Sequence, residues 1–224
     1  MEKMVHMEST SLDLFPTPVV EYDIRHLIDV DEINDKVYQL NAEHGHLNYG
    51  LFPGAYSSFP TIRSLLDSPQ MEMYKPVFED VMNRYCQHTG LRQHYIDDSW
   101  FNYTGNKGSV KLHRHPNISV TLTYYSSFPE GAANLRFVSP IAKAFKQGEV
   151  NFATGIDEHN LNQYNQFEYE LQIKEGHVYA FPGWLRHWTN ESDAGERIMI
   201  GINCNPRLQE NEYVASKSYK IRKV

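Results

Sequence analysis

Cysteine is scarce: only Cys86 and Cys204 occur in 224 residues, and they stand far apart. A disulfide-framed secreted fold needs more cysteines at closer spacing, so both are expected as free thiols in a reducing compartment, Cys86 packed on a helix and Cys204 in the last strand. Long apolar runs are missing as well. No segment approaches the roughly 20 residues of a membrane-spanning helix, and the first thirty residues carry acids and prolines where a secretory leader needs an unbroken apolar stretch. The expectation is a soluble cytoplasmic protein with no membrane partner. Positive charge is in deficit, with 21 Lys and Arg against 28 Asp and Glu and a net charge of −7. That balance argues against nonspecific nucleic-acid binding as the main activity, although a local basic groove is compatible with it. There is no Pro/Ser/Gly-rich linker, no repeat and no low-complexity tract, so residues 1–224 are expected to form one elaborated domain around a sizeable core.

The pattern changes character near residue 92. Residues 1–91 read as a strand and helices that support a core. The stretch "FPTPVVEYDI" is an edge strand, because Pro16 and Pro18 cannot donate to a central ladder. In "DVDEINDKVYQLNAEHG", Val30, Ile33, Val37 and Leu40 recur at helical spacing, with acids in the first turn and Gly45 after the last. A second helix lies in "SPQMEMYKPVFEDVMNRYCQHTG", where Val77, Val81 and Tyr85 share a face with Phe78 and Met82, between Pro76 and Gly90.

Residues 92–206 are strand-like. "DDSWFNYT", "SVKLHRH", "ISVTLTYY", "ANLRFV", "FEYELQI", "HVYAF" and "RIMIGIN" are short, rich in β-branched and aromatic residues, and separated by Gly, Pro, Asn and Ser. The fold class expected is α+β, mainly β: a jelly roll with the N-terminal helices packed on its outside. Residues 141–166 are too long for an ordinary connection and read as an insertion that flanks or covers a site, and residues 207–224 as a C-terminal tail.

Within this half, "LHRHPNISVTLTYY" places two histidines one residue apart. On an extended strand i and i+2 share a face, so His113 and His115 converge on one point, and converging imidazoles suit a first-row transition metal. A third ligand has to come from another strand. The best candidate is His187 in "EGHVYAFPGWLRHWTNES", after a strand and the turn-forming Pro182-Gly183. Ten residues later Arg197 opens the strand "RIMIGIN", and its planar fork matches a carboxylate bidentately. Taken alone, each residue has a plainer reading: an arginine is more often a surface ion-pair partner, and a tyrosine or tryptophan more often core. His44-Gly45-His46 has the same spacing as the strand pair but sits at a helix end and reads as structural or exposed. His159, beside Asp157 and Glu158, reads as part of a solvated acidic loop.

In order, these pieces resemble a known family. His-x-His, a long gap, then His with Arg ten residues on is similar to the iron(II)/2-oxoglutarate-dependent oxygenases of the double-stranded β-helix fold, and closest to a small branch of bacteria and phages. The resemblance rests on "LFPTPVV" (14–20), "SWFN" (99–102), "HRHPN" (113–117), "TYY" (123–125), "LRFVSP" (135–140), "FPGWLRHWTN" (181–190) and "ERIMIGIN" (196–203), which span most of the chain. It implies Fe(II), 2-oxoglutarate and O2 as cofactor and cosubstrates, with His113 and His187 as iron ligands. It also implies that Arg197 grips the distal carboxylate of 2-oxoglutarate with Tyr125 as a second donor, strand parity placing 113, 115 and 125 on one face. Asn102 and Thr123 would line the same pocket, and Trp184, Trp188 and Tyr124 would form a substrate wall. The reaction implied is hydroxylation with decarboxylation of 2-oxoglutarate to succinate. The compartment implied for a phage-borne copy is the host's cytoplasm.

One position departs from the wider superfamily, whose facial triad is His-x-Asp/Glu with a distal His: His115 stands where the acid belongs. Either His115 ligates in a three-histidine site, or it leaves the coordination sphere, or the activity has been lost. The first is preferred, because the small branch itself carries His there. A cupin-type metal dioxygenase or isomerase without 2-oxoglutarate is the rival within the same fold, but "PNISVTL" lacks the cupin glutamate and that reading gives Arg197 no role. A non-catalytic jelly-roll module is the third class. The primary substrate (protein side chain, nucleobase or metabolite) and the oligomeric state, a homodimer included, stay open.

Overall fold

Alternation along three central strands explains most of the architecture. In a computed structural model, which describes residues 15–44, 55–105, 107–141, 159, 161–192 and 194–207, ten strands form two antiparallel sheets. The strands are β1 (Val20–Asp23), β2 (Ala55–Ser57), β3 (His94–Thr104), β4 (Gly108–His113), β5 (Val120–Ser127), β6 (Leu135–Val138), β7 (Glu168–Leu171), β8 (His177–Pro182), β9 (His187–Ser192) and β10 (Arg197–Pro206). The larger sheet has the order β1-β8-β5-β10-β3-β2, and the smaller one β4-β9-β6-β7. This is the jelly roll expected, with β1 at a sheet edge as its prolines require.

Along β5, β8 and β10 successive side chains go to opposite sides. Leu122, Tyr124, Val178, Ala180, Ile198, Ile200 and Ile202 face outward into a core shared with two helices. Tyr125, Tyr179 and Phe181 face the smaller sheet and meet Leu135, Phe137 and Leu185 there. Both faces are therefore covered, which is why these strands are buried almost end to end.

The helices α1 (Val30–His44) and α2 (Lys75–Thr89) close the outer face. Asp29 caps α1, its carboxylate accepting from the backbone N–H of Asp31 and Glu32 at 3.0 and 3.2 Å. Ile33, Val37 and Leu40 supply the buried stripe of α1, and Phe78, Val81, Met82 and Tyr85 that of α2. Pro76 lies in the first turn of α2, and Gly90 ends it. Among the described residues no helix is long and apolar enough to cross a membrane.

Two strands escape the sequence pattern. β2 is only three residues long, and β9, "HWTNES", ends in polar residues that read as a turn. The expected insertion at 141–166 lies outside the described residues apart from 141, 159 and 161–166, as do His46 and all of the C-terminal tail beyond 207.

Candidate functional site

The inner face of the larger sheet presents its side chains in rows set by strand register. Arg197 lies opposite Thr104. Met199 lies opposite Asn102 on one side and Tyr125 on the other, and Gly201 is flanked in the same way by Trp100 and Thr123. Asn203 lies opposite Thr121. The smaller sheet covers these rows and brings the histidines. In the β4–β9 ladder His113 is the register partner of His187, so the two rings sit side by side with centroids 4.2 Å apart.

His115 arrives by a different route from the one the spacing suggested. β4 ends at His113, so the shared face of an i, i+2 strand pair does not apply. The backbone N–H of His115 instead donates to the Gly183 carbonyl at 2.8 Å. Asn117 then takes a positive φ of 64°, which asparagine tolerates, and the chain turns into β5 of the other sheet. His113 and Tyr125 thus stand on facing sheets rather than on one strand face. Gly183 permits this crossing, since a Cβ there would lie 2.4 Å from the Ile118 carbonyl oxygen.

The three rings nevertheless meet: one nitrogen from each of His113, His115 and His187 lies within 4.8 Å of the others. Each ring is oriented by an oxygen acceptor. Nδ1–H donates to the Lys111 carbonyl at 2.8 Å in His113, to Asn203 Oδ1 at 2.7 Å in His115, and to the Leu185 carbonyl at 2.8 Å in His187. A neutral imidazole that donates from Nδ1 carries its lone pair on Nε2, the arrangement found in histidines that bind metals. Burial disfavours the charged form of all three: it holds His113 below its ordinary value, takes His115 down to about 4 with His113 adding to the effect, and takes His187 well below. The rings are therefore neutral near pH 7. Among the described residues no carboxylate joins them.

At the other end of the same cavity lies Arg197, only 5 % exposed. Its Nη1 donates to the Ala133 carbonyl at 2.7 Å, and Nη2 lies 3.5 Å from Thr104 Oγ1. Burial lowers its pKa, the neighbouring Tyr125 phenol acts in the opposite sense, and among the described residues no acid pairs with it. An uncompensated buried cation is costly, so this end of the cavity is built for an anion.

Between the two ends, Asn102 (both amide atoms), Thr123 Oγ1 and Trp100 Nε1 are buried without a hydrogen-bond partner among the described residues. Thr123 stands beside the fully buried Tyr125 phenol. The cavity is partly open to solvent, and Val110, Leu135, Thr189 and Met199 complete its walls.

All seven residues singled out from sequence (His113, His115, His187, Arg197, Tyr125, Asn102 and Thr123) line this cavity. The aromatic wall does not. Tyr124 points outward, fully buried against Phe78 of α2 with ring centroids 5.5 Å apart, because it alternates with Tyr125 on β5. Trp184 is 48 % exposed, and Trp188 lies under the Arg136 guanidinium at 5.3 Å. Sequence reasoning missed Trp100, Met199 and Asn203. Period-2 counting from Asn102 and Arg197 reaches all three.

Residues 98–203 match the family described as "Putative 2OG-Fe(II) oxygenase". Among solved structures the chain is similar to a prolyl-4-hydroxylase of Pseudomonas putida, with TM-score 0.55, 12 % identity, and 86 % of this chain and 94 % of that one covered. HygX of Streptomyces hygroscopicus, solved with nickel and 2-oxoglutarate, gives TM-score 0.56 and 12 % identity over 86 % and 84 %. A Trichoplax adhaerens prolyl hydroxylase in complex with a hypoxia-inducible-factor peptide gives 0.55 and 13 % over 88 % and 86 %. At these identities the structural likeness is one of fold. None of the curated proteins matches the chain in sequence.

Proposed function

We propose that this chain, whose residues 98–203 match the family of putative 2OG-Fe(II) oxygenases, is a dioxygenase that holds iron(II) on His113, His115 and His187 and 2-oxoglutarate on Arg197. When bound, iron(II) with 2-oxoglutarate and O2 supplies the oxidation: the cosubstrate leaves as succinate and CO2, and one oxygen atom enters a C–H bond of a protein side chain, a nucleobase or a metabolite. The chain's own residues bind, orient and exclude water.

The observation that carries this reading is Arg197. A buried guanidinium without an acidic partner among the described residues, across one cavity from three neutral imidazoles, fits a ligand with a carboxylate at its far end and metal-binding oxygens at its near end. Tyr125 is the second donor to the far carboxylate, and it stays protonated because burial raises its pKa. Asn102 and Thr123 have polar atoms in need of partners along the floor between. On the metal side, Lys111, Asn203 and Leu185 hold the three rings in one tautomer through Nδ1. Three neutral imidazoles also leave the metal's charge undiminished, where a carboxylate ligand would cancel part of it.

The test is succinate formation from 2-oxoglutarate by the Fe(II)-loaded protein. We expect slow substrate-independent turnover that His187→Ala abolishes. Turnover that survives His187→Ala would remove that residue from the metal site, and no turnover with any Fe(II) loading would remove the activity.

A further inference from the structure

We infer that Trp100 is a cosubstrate-binding residue: its indole N–H donates to the oxygens of 2-oxoglutarate at the end nearer the metal ligands, and Gly201 is the position that lets it do so. The inference rests on the reading of the cavity as a 2-oxoglutarate site and adds a donor to it.

Trp100 is 5 % exposed and lines the cavity. Its Nε1 has no hydrogen-bond partner among the described residues. Indole N–H groups that are buried nearly always find one, because an unmade hydrogen bond in a dry site is costly. The ring is held tightly. Its centroid lies 5.8 Å from that of His115, with 31° between the planes, and 5.2 Å from that of Phe59 in an edge contact at 81°. On the other side it crosses the backbone of β10. A Cβ on Gly201 would lie 2.4 Å from Trp100 Cζ2 and 2.6 Å from Cε2, the carbon that bears Nε1. The six-membered ring of the indole therefore lies over Gly201, which leaves Nε1 free of that contact, on the sheet row that continues to Thr123, whose hydroxyl also lacks a partner among the described residues.

Register places that row along the ligand path. Successive inward rows are about 7 Å apart, two residues at roughly 3.3 Å each. The Trp100–Gly201–Thr123 row is one step from Asn203, which orients His115, and two steps from Arg197. With Arg197 on one carboxylate, the oxygens at the opposite end of a five-carbon diacid reach this row. A neutral donor suits them, since it adds no further charge beside the metal.

The experiment is ¹⁵N NMR of the full chain loaded with redox-inert Zn(II), which has three indole N–H resonances, from Trp100, Trp184 and Trp188. Trp100→Phe assigns its own by loss. On titration with 2-oxoglutarate, the Trp100 N–H is expected to move downfield while those of Trp184 and Trp188 stay in place. Trp100→Phe, which keeps an aromatic ring at the site and removes the donor with the fused five-membered ring, is expected to weaken 2-oxoglutarate about tenfold without changing Zn(II) affinity. If 2-oxoglutarate binds in an Arg197-dependent way and the Trp100 resonance does not move, this inference fails and the cosubstrate site stands. If 2-oxoglutarate does not bind the Zn(II)-loaded protein at all, both fail.

Discussion

Replacing Arg197 by Gln should separate ligand binding from folding. The guanidinium is buried, hydrogen-bonded to the Ala133 carbonyl at 2.7 Å, and without an acidic partner among the described residues. In the proposed complex its fork pairs with a carboxylate taken out of water. Truncating one side of such a pair costs about 2–5 kcal/mol, mostly because the other charge is left buried and unpaired. At about 1.4 kcal/mol per tenfold, the Kd for 2-oxoglutarate rises roughly 30-fold to 4,000-fold. The unliganded protein behaves in the opposite way, since Gln removes an uncompensated charge from a dry site, and its stability should hold or rise. Arg197→Lys keeps the charge but loses the planar fork, so it should fall between wild type and Gln. The assay is calorimetric titration of 2-oxoglutarate into Zn(II)-loaded protein, paired with denaturant unfolding without ligand. A Kd within threefold of wild type for Arg197→Gln would refute the reasoning, and so would a loss of several kcal/mol in the unliganded protein.

Two further outcomes follow from the histidine cluster. Asn203→Leu removes the acceptor that orients His115, now 2.7 Å from its Nδ1, and should weaken metal binding by about 10- to 100-fold while the β10 backbone keeps its pairing; competition with a chromophoric chelator measures this, and an unchanged affinity would take His115 out of the ligand set. The metal-free protein should lose stability as the pH falls. Its histidines are neutral when folded, with pKa values below the 6.5 of the unfolded chain, so their contribution is complete above pH 6.5 and shrinks as the unfolded state takes up protons below it. For His115, down at about 4, the loss approaches about 3 kcal/mol across that window. Unfolding midpoints in denaturant at pH 7.5 and 5 should therefore differ, and equal midpoints would mean that the rings are not buried as described.

The alternation in "ISVTLTYY" already contained the site's logic. Leu122 and Tyr124 go to the helices, while Thr123 and Tyr125 line the cavity and Thr121 reaches Asn203 at 3.4 Å, so one strand serves the core and the site together. Both helices were legible because their apolar stripes and end signals agree. β9 was not legible, since its polar "TNES" earns its place by pairing with β4 rather than by propensity. His115 was found for the wrong reason. Local spacing predicted a strand pair, whereas a turn through Pro116 and Asn117 and a long-range hydrogen bond to Gly183 bring the ring in. Trp100 and Asn203 went unnoticed because an indole reads as core and an asparagine near a strand end as a turn. Period-2 counting along each strand shows which way they point, and the register between β3 and β10 brings them onto one face.

The most direct test of the account is anaerobic titration of the metal-free protein with Fe(II) and then 2-oxoglutarate, followed by visible absorption. The account predicts a charge-transfer band that develops only when both are present and is absent in His187→Ala. Fe(II) binding without the band would contradict the cosubstrate assignment and favour a cupin-like site that works without 2-oxoglutarate, and failure to bind Fe(II) would leave the three histidines as part of a scaffold.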